Sequence, residues 1–308
     1  MMESGKRHIV VGDIHGEIEA FREILNAAGL IDREDRWTGK DAILVQVGDA
    51  IDRGPHSLET VNLLRSLQKE APATDGKVVR LCGNHELMLL QSFLHYANFR
   101  NPEVLASELK KEIAKGDVCA SFTDGERLFT HAGLKSVVRD RILKELKVKK
   151  HEITGKEVNL YLLCNHINEA FRKSVQNDFY EDHPIFWIGR ERRGYDPAGG
   201  IFWCDFTSMK AVEEAGTCPQ IFGHTPTGKN EIGTAHNLKV INVDTGMCRA
   251  YGGQIAYLEI IADSLVQHSK CSSSKWSETL LMEGTTASPI SMELNPCRRK
   301  NRLKNPGL

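Results

Sequence analysis

The sequence contains no C-x-x-C pair. Its eight cysteines lie scattered at 82, 119, 164, 204, 218, 248, 271 and 297. That argues against a zinc-finger or disulfide framework and predicts reduced, mostly buried thiols in a cytosolic, cytoplasmic protein. No apolar run approaches the ~20 residues of a membrane helix, and "MMESGKRHIVVGD" has no apolar h-region. An excess of one charge is missing too. Lys plus Arg number 40 against 41 Asp plus Glu, so neither nucleic acid nor an anionic membrane is implied as partner. Aromatics make up only 7%, which leaves few faces on which a nucleobase could rest. What remains is ordinary soluble composition over 308 residues, enough for a sizeable core.

The apolar patterning gives an α/β architecture. "RHIVVGD" (7–13) reads as a buried strand, and "EIEAFREILNAAG" (17–29) as a helix with Ile18, Phe21, Ile24, Leu25 and Ala28 on one face. The unit recurs in "AILVQVGD" (42–49) with "SLETVNLLRSLQKEA" (57–71), and in "KVVRLCGNHE" (77–86). Strand–loop–helix in series predicts a largely buried sheet. Four later runs, at 126–133, 218–226, 238–246 and 252–261, leave no room for long helices between the last three. They predict a second sheet packed on the first. Residues 135–200 carry helical patterning and read as a cap or insertion. The expected catalytic domain is 1–262, and the polar stretch 263–308 reads as a poorly ordered tail.

Five polar motifs end these apolar runs: "GDIHG" (12–16), "GDAIDRG" (48–54), "GNHE" (83–86), "THAG" (130–133) and "GHTP" (223–226). A lone Asp-Gly or His-Gly is usually a turn. Here a Gly stands beside Asp, Asn or His, or two residues past it in "THAG", five times, always after an apolar run. The carboxyl ends of neighbouring strands form the ligand crevice of α/β sheets. Asp13, His15, Asp49, Asn84, His131 and His224 can therefore converge, although they span more than 200 residues. Imidazole and carboxylate without thiolate suit ions such as Mn, Fe, Zn or Co. Six ligands exceed one tetrahedral site but fit two metals about 3.5–4 Å apart. Arg53, on a Gly-bounded turn, can grip phosphate oxygens in a bidentate manner. "WIGRERRGYD" (187–196) offers Arg190, Arg192 and Arg193 as a second cation, and Arg190 is taken as the working candidate.

These blocks resemble the metallophosphoesterases, and specifically the phosphoprotein phosphatase branch with its GDxHG, GDxxDRG and GNHE motifs. "GDIHG", "GDAIDRG" and "GNHE" match without exception, while "HAG" stands where many relatives have "HGG". The resemblance covers roughly residues 7–261. It implies a calcineurin-like β-sandwich flanked by helices, and two divalent ions, Mn²⁺ first, with Fe, Zn, Co or Ni as alternatives. It implies that Asp13, His15 and Asp49 hold one ion, and that a bridging Asp49 with Asn84, His131 and His224 holds the other. His85 would be the general acid, oriented by Asp52, and Arg53 would bind phosphate. A bridging hydroxide would attack phosphorus in line, with no phosphoenzyme. Neighbouring Asn84 and His85 would thus divide metal binding and proton donation between them. The substrate class that follows is a phosphomonoester, with a Ser/Thr phosphoprotein as the expected partner. The alternative is hydrolysis of dinucleoside polyphosphates such as diadenosine tetraphosphate. "IFWCDF" (201–206) resembles a segment that bacterial relatives carry before "GHTP", which makes Asp205 a further candidate.

Overall fold

A computed structural model describes residues 5–146, 159–179, 182–210, 218–270 and 275–283. The first strand, β1 (His8–Val11), is buried along its whole length. It lies parallel to β2 (Ile43–Gln46), which pairs in parallel with β3 (Lys77–Leu81), itself parallel to the short β4 (Val118–Cys119). Helices α1 (Ile18–Ala27) and α2 (Ser57–Glu70) follow the first two strands. Successive side chains on a strand point to opposite faces, and the packing follows that rule. Ile9, Val11 and Leu44 join Phe21, Ile24, Leu64 and Leu67 in the helix-side core. Val10, Ile43, Val45 and Val79 point the other way, onto Phe122, Phe129, Ile221 and Ile241.

Those last residues belong to the second sheet. It comprises β5 (Ser121–Thr123), β6 (Leu128–Thr130), β7 (Gln220–Phe222), β8 (Gly233–Ala235) and β9 (Val240–Asn242), ordered β5-β6-β7-β9-β8. The two sheets form the expected sandwich. Helices α3 (Asn84–Leu90) and α4 (Pro102–Lys115) lead from β3 to β4, and α5 (Ser136–Glu145) and α6 (Leu160–Gln176) lie between β6 and β7. Two 3₁₀ turns, Pro184–Phe186 and Arg190–Arg192, and the short α7 (Phe206–Met209) also precede β7 among the described residues. Cys82, Cys119, Cys164, Cys218 and Cys248 are free, and Cys271 and Cys297 fall outside the described residues. No described helix is long and apolar enough to cross a membrane.

Two sequence expectations need correction. The run 252–261 does not join the second sheet. As β10 (Ala256–Ile261) it pairs antiparallel with β1 and extends the first. Residues 264–270 and 276–282 do not form a loose tail either. Strand β11 (Ser264–Lys270) pairs with β10 from Ile261↔Ser264 to Ala256↔Ser269, and β12 (Trp276–Met282) pairs with β11. The first sheet thus has seven strands, ordered β12-β11-β10-β1-β2-β3-β4. Polarity concealed these strands. Buried Gln267 receives the Ile232 amide on Oε1 (3.0 Å) and donates to Asn230 O (2.7 Å). His268 stacks on Tyr257 at 4.5 Å and bonds Glu259 at 2.6 Å. Burial pushes the Glu259 carboxyl up, but the bonds from His268 and Arg7 outweigh it and hold the carboxyl below its usual range. Hydrogen bonds, more than apolar side chains, let this strand enter a buried position. Residues 284–308 lie outside the described residues.

Candidate active site

The five motifs arrive together at the carboxyl ends of β1, β2, β3, β6 and β7. The turns leave no room for larger residues. Gly48 has φ +105°, and a Cβ there would meet the Gly83 amide nitrogen at 2.6 Å. His15, Asp49, Asp52, Arg53 and His224 all hold positive φ between +50° and +71°. Non-glycine residues rarely stay there unless the surroundings over-determine them. A cavity of about 290 Å³ results, lined by Asp13, His15, Asp49, Arg53, Asn84, His85 and His224 among others. His131, fully buried, and Asp52 sit behind this lining.

Hydrogen bonds fix what these side chains present. His131 Nδ1 pairs with Val47 O (3.0 Å) and His15 Nδ1 with Ile51 O (2.9 Å). A carbonyl accepts only, so both Nδ1 atoms carry the proton and both Nε2 atoms present bare lone pairs. His131 Nε2 then lies 2.9 Å from Asn84 Oδ1 and 3.1 Å from His224 Nδ1, while His224 Nδ1 lies 2.8 Å from the same Oδ1. Asp49 Oδ2 stands 3.6 Å from His131 Nε2 and 3.7 Å from His15 Nε2, between the two groups. Burial drives the His131 and His224 pKa values down and that of His15 to about 4, so protons do not fill the gaps. Burial and the charges of Asp244 and Asp49 push the Asp13 carboxyl well up. Such crowding of acceptors suits a cation. A divalent ion with bonds of about 2.1 Å sets neighbouring ligands about 3 Å apart, the spacing seen around Asn84. Two overlapping groups are of metal-binding dimensions: His15, Asp49 and His85, and Asp49, His131 and His224.

Next to them His85 is held differently. Its Nδ1 bonds Asp52 Oδ2 at 2.7 Å, and its backbone N donates to Asp49 Oδ1 at 2.9 Å. Burial alone would lower its pKa, but Asp49 and Asp52 outweigh burial and raise it. Arg53 Nη2 lies 3.3 Å from His85 Nε2, and its guanidinium stacks over Tyr251 at 5.0 Å and Tyr96 at 5.7 Å.

The sequence profile described as calcineurin-like phosphoesterase matches residues 6–228, well over half of the chain. The chain is a calcineurin-like phosphoesterase. It is similar to Shewanella-like protein phosphatase 1 of Plasmodium berghei, 27% identical over 268 residues, covering 78% of this chain and 66% of that one. Shewanella-like protein phosphatase 2 of Arabidopsis thaliana is 41% identical over 101 residues, 33% of this chain and 26% of that protein. The chain therefore spans about a quarter to two thirds of these relatives. A solved cold-active protein tyrosine phosphatase shares the fold at a TM-score of 0.64 and 19% identity, with 89% of this chain and 78% of that one covered. The family uses divalent metals, and the His/Asp groups of this phosphoesterase can hold them.

The structure corrects one site expectation and adds residues that sequence reasoning missed. Arg190 is exposed and does not line the cavity; Arg192 does. The 3₁₀ turn carries the two residues to different sides, and Arg192 is held by Asp205 (2.9 Å) and Thr225 Oγ1 (3.1 Å). Asp205 thus grips the arginine and does not itself line the cavity. Phe93, Tyr96 and Tyr251 line it, beside Trp203 of the "IFWCDF" segment; loop aromatics carry no periodic signal. Buried Asp244, in "NVDTG", has its carboxyl pushed up to about 7 by burial. The same Gly-beside-acid pattern that marked the other motifs could have found it.

Glu86, the last residue of "GNHE", is the missing piece of the scaffold. Its carboxylate accepts the amides of Asp49 (2.9 Å), Ala50 (2.9 Å), Ile51 (3.3 Å) and Gly83 (2.8 Å), pinning two motif loops together. Glu86→Ala is expected to lose about 2–4 kcal/mol of stability, since several buried amides lose their acceptor at about 1–3 kcal/mol each before water relieves them. Denaturant unfolding measures this. A loss under about 1 kcal/mol would show that the loops hold without it.

Proposed function

We propose that this phosphoesterase hydrolyses phosphomonoesters on Ser/Thr phosphoproteins, using two divalent ions. The observation that carries this reading is the convergence of six N/O donors, a His–Asp pair and two arginines on one cavity. Asp13, His15 and Asp49 would hold one ion; Asp49, Asn84, His131 and His224 would hold the other. When bound, such ions neutralise phosphoryl charge and acidify a water to serve as nucleophile near neutral pH. The chain's own groups do the rest. Arg53 and Arg192 grip phosphate oxygens and set the ester in line. His85 protonates the leaving oxygen from Nε2, with Asp52 fixing the ring's tautomer and direction. Arg53 turns from His85 to the phosphate as substrate enters. The names of the Shewanella-like protein phosphatases of Plasmodium berghei and Arabidopsis thaliana support a phosphatase.

A specific observation favours a second reading. The scarcity of aromatics in the whole chain does not hold locally, because Phe93, Tyr96, Trp203 and Tyr251 surround the arginines. Such a rim accepts a ring beside the phosphate, as in an aryl phosphate or one base of a dinucleotide. Activity is expected to vanish on chelation and return with Mn²⁺. Side-by-side kcat/KM values at one pH on phospho-Ser/Thr peptides, phosphotyrosine peptides and diadenosine tetraphosphate then test the substrate. Full turnover in a sample shown by elemental analysis to lack metal would end the mechanism. A tenfold lead for the dinucleotide, about 1.4 kcal/mol of transition-state discrimination, would replace the monoester assignment.

A further inference from the structure

A third group of metal-binding dimensions lies away from the cavity, among the elements between β6 and β7. Glu145 closes α5, His166 sits in the first half of α6, and His183 caps the 3₁₀ turn Pro184–Phe186. Their ligand atoms all fall within 4.8 Å of one another. Glu145 Oε2 is 3.1 Å from His183 Nε2 and 3.6 Å from His166 Nε2. These spacings bracket the ~3.3 Å expected between tetrahedral ligands about 2.0–2.1 Å from zinc.

An ordinary hydrogen-bonded cluster leaves this arrangement unfinished. One carboxylate oxygen faces two imidazoles but bonds only His183. His166 Nε2 is a buried atom with no hydrogen-bond partner among the described residues. Buried ring nitrogens are normally satisfied, so an orphan aimed at a carboxylate calls for an explanation. A cation shared by the three groups supplies one. Burial lowers the His183 pKa despite the opposing pull of Glu145.

We infer that Glu145, His166 and His183 form a third divalent-metal site, for a borderline ion such as Zn²⁺ or Co²⁺. Two imidazoles, one carboxylate and water in the remaining position make a familiar donor set for these ions. Without metal, His183 Nδ1 accepts the Ile185 amide at 3.3 Å, so Nε2 carries the proton toward Glu145. Loading moves that proton to Nδ1 and frees the Nε2 lone pair, at the cost of one long hydrogen bond. The ion would tie α5 and α6 to the turn that precedes Arg190–Arg192. That turn rests on a firm bed, with Phe186 stacked on Phe202 at 5.6 Å and 2°. The ion thereby stiffens the approach to Arg192, one of the two arginines of the cavity.

The test counts metal and does not depend on turnover. The full chain is saturated with Zn²⁺, freed of excess by gel filtration, and analysed for zinc per chain. Wild type is expected to hold one equivalent more than His166→Ala and one more than Glu145→Gln. Glu145 is the safer second variant, because its side chain is 41% exposed. Asn84→Ala, which alters only the catalytic group, is expected to keep the additional equivalent. Co²⁺ loading gives an independent reading: the visible band of the additional ion persists in Asn84→Ala and disappears in His166→Ala. Equal zinc counts in wild type, His166→Ala and Glu145→Gln would overturn the inference, whatever the count at the catalytic cavity.

Discussion

Replacing His85 by Asn is expected to cut kcat by about 10²–10⁴, the usual range for loss of a general acid, while metal content stays at the wild-type value. The geometry separates His85 from its neighbour. Asn84 Oδ1 stands 2.9 Å and 2.8 Å from the nitrogens of His131 and His224, whereas His85 spends Nδ1 on Asp52. Asn84→Ala should therefore lower metal occupancy together with rate. The His85→Asn defect should also shrink for esters with good leaving groups, because a stable leaving anion needs little protonation. A comparison of p-nitrophenyl phosphate with a phosphoserine peptide measures this. Two results would count against the assignment: loss of metal from His85→Asn, or equal defects on both substrates. The first would make His85 a ligand beside His15 and Asp49, with which it also forms a group of metal-binding dimensions.

Most of this site was legible in the sequence because the physics that builds it is local. A strand that must deliver a charged group at its tip ends in Gly beside Asp, Asn or His. Four such endings stand in the sequence itself, and "THAG" sets its Gly two residues past the His. The sandwich was legible for a related reason, since β1, β2 and β3 are apolar on both faces and read as buried without knowledge of their partners. Three things stayed hidden. Which arginine of "GRERRG" enters the cavity depends on one 3₁₀ turn and on the grip of Asp205, 13 residues past Arg192 in sequence but 2.9 Å away in space. The aromatic rim is assembled from loop residues at 93, 96, 203 and 251, brought together by the fold alone. Glu86 looked like an ordinary first-turn helix acid, because its partners are backbone amides and amides leave no trace in a sequence.

Ending the chain at Asp263 is expected to cost about 5 kcal/mol or more, a fall of at least about 10 °C in Tm for a chain near this size. This reverses the reading of 264–282 as part of a poorly ordered tail, and the reason lies in β10. That strand has β1 on one side and β11 on the other, so removing β11 turns a central strand into an edge. Leu265, 2% exposed, leaves the core, worth about 1.5–3 kcal/mol by area alone. Tyr257 loses both the stacked His268 ring and the Trp276 ring 5.5 Å away. Glu259 loses the 2.6 Å bond from His268, leaving a half-satisfied carboxylate. Ile232 loses the acceptor of its amide on Gln267, a buried donor stranded at about 1–3 kcal/mol. The reference is a chain ending at Glu283, which keeps β11 and β12 whole. Calorimetry on the two chains makes the comparison, and a difference below about 4 °C would mean that these two strands lie on the sheet without stabilising it. No described residue past 263 lines the cavity, so whatever truncated protein remains folded should keep the wild-type KM. A raised KM at low temperature would mean that the sheet edge reaches the site through β1, whose end carries Asp13.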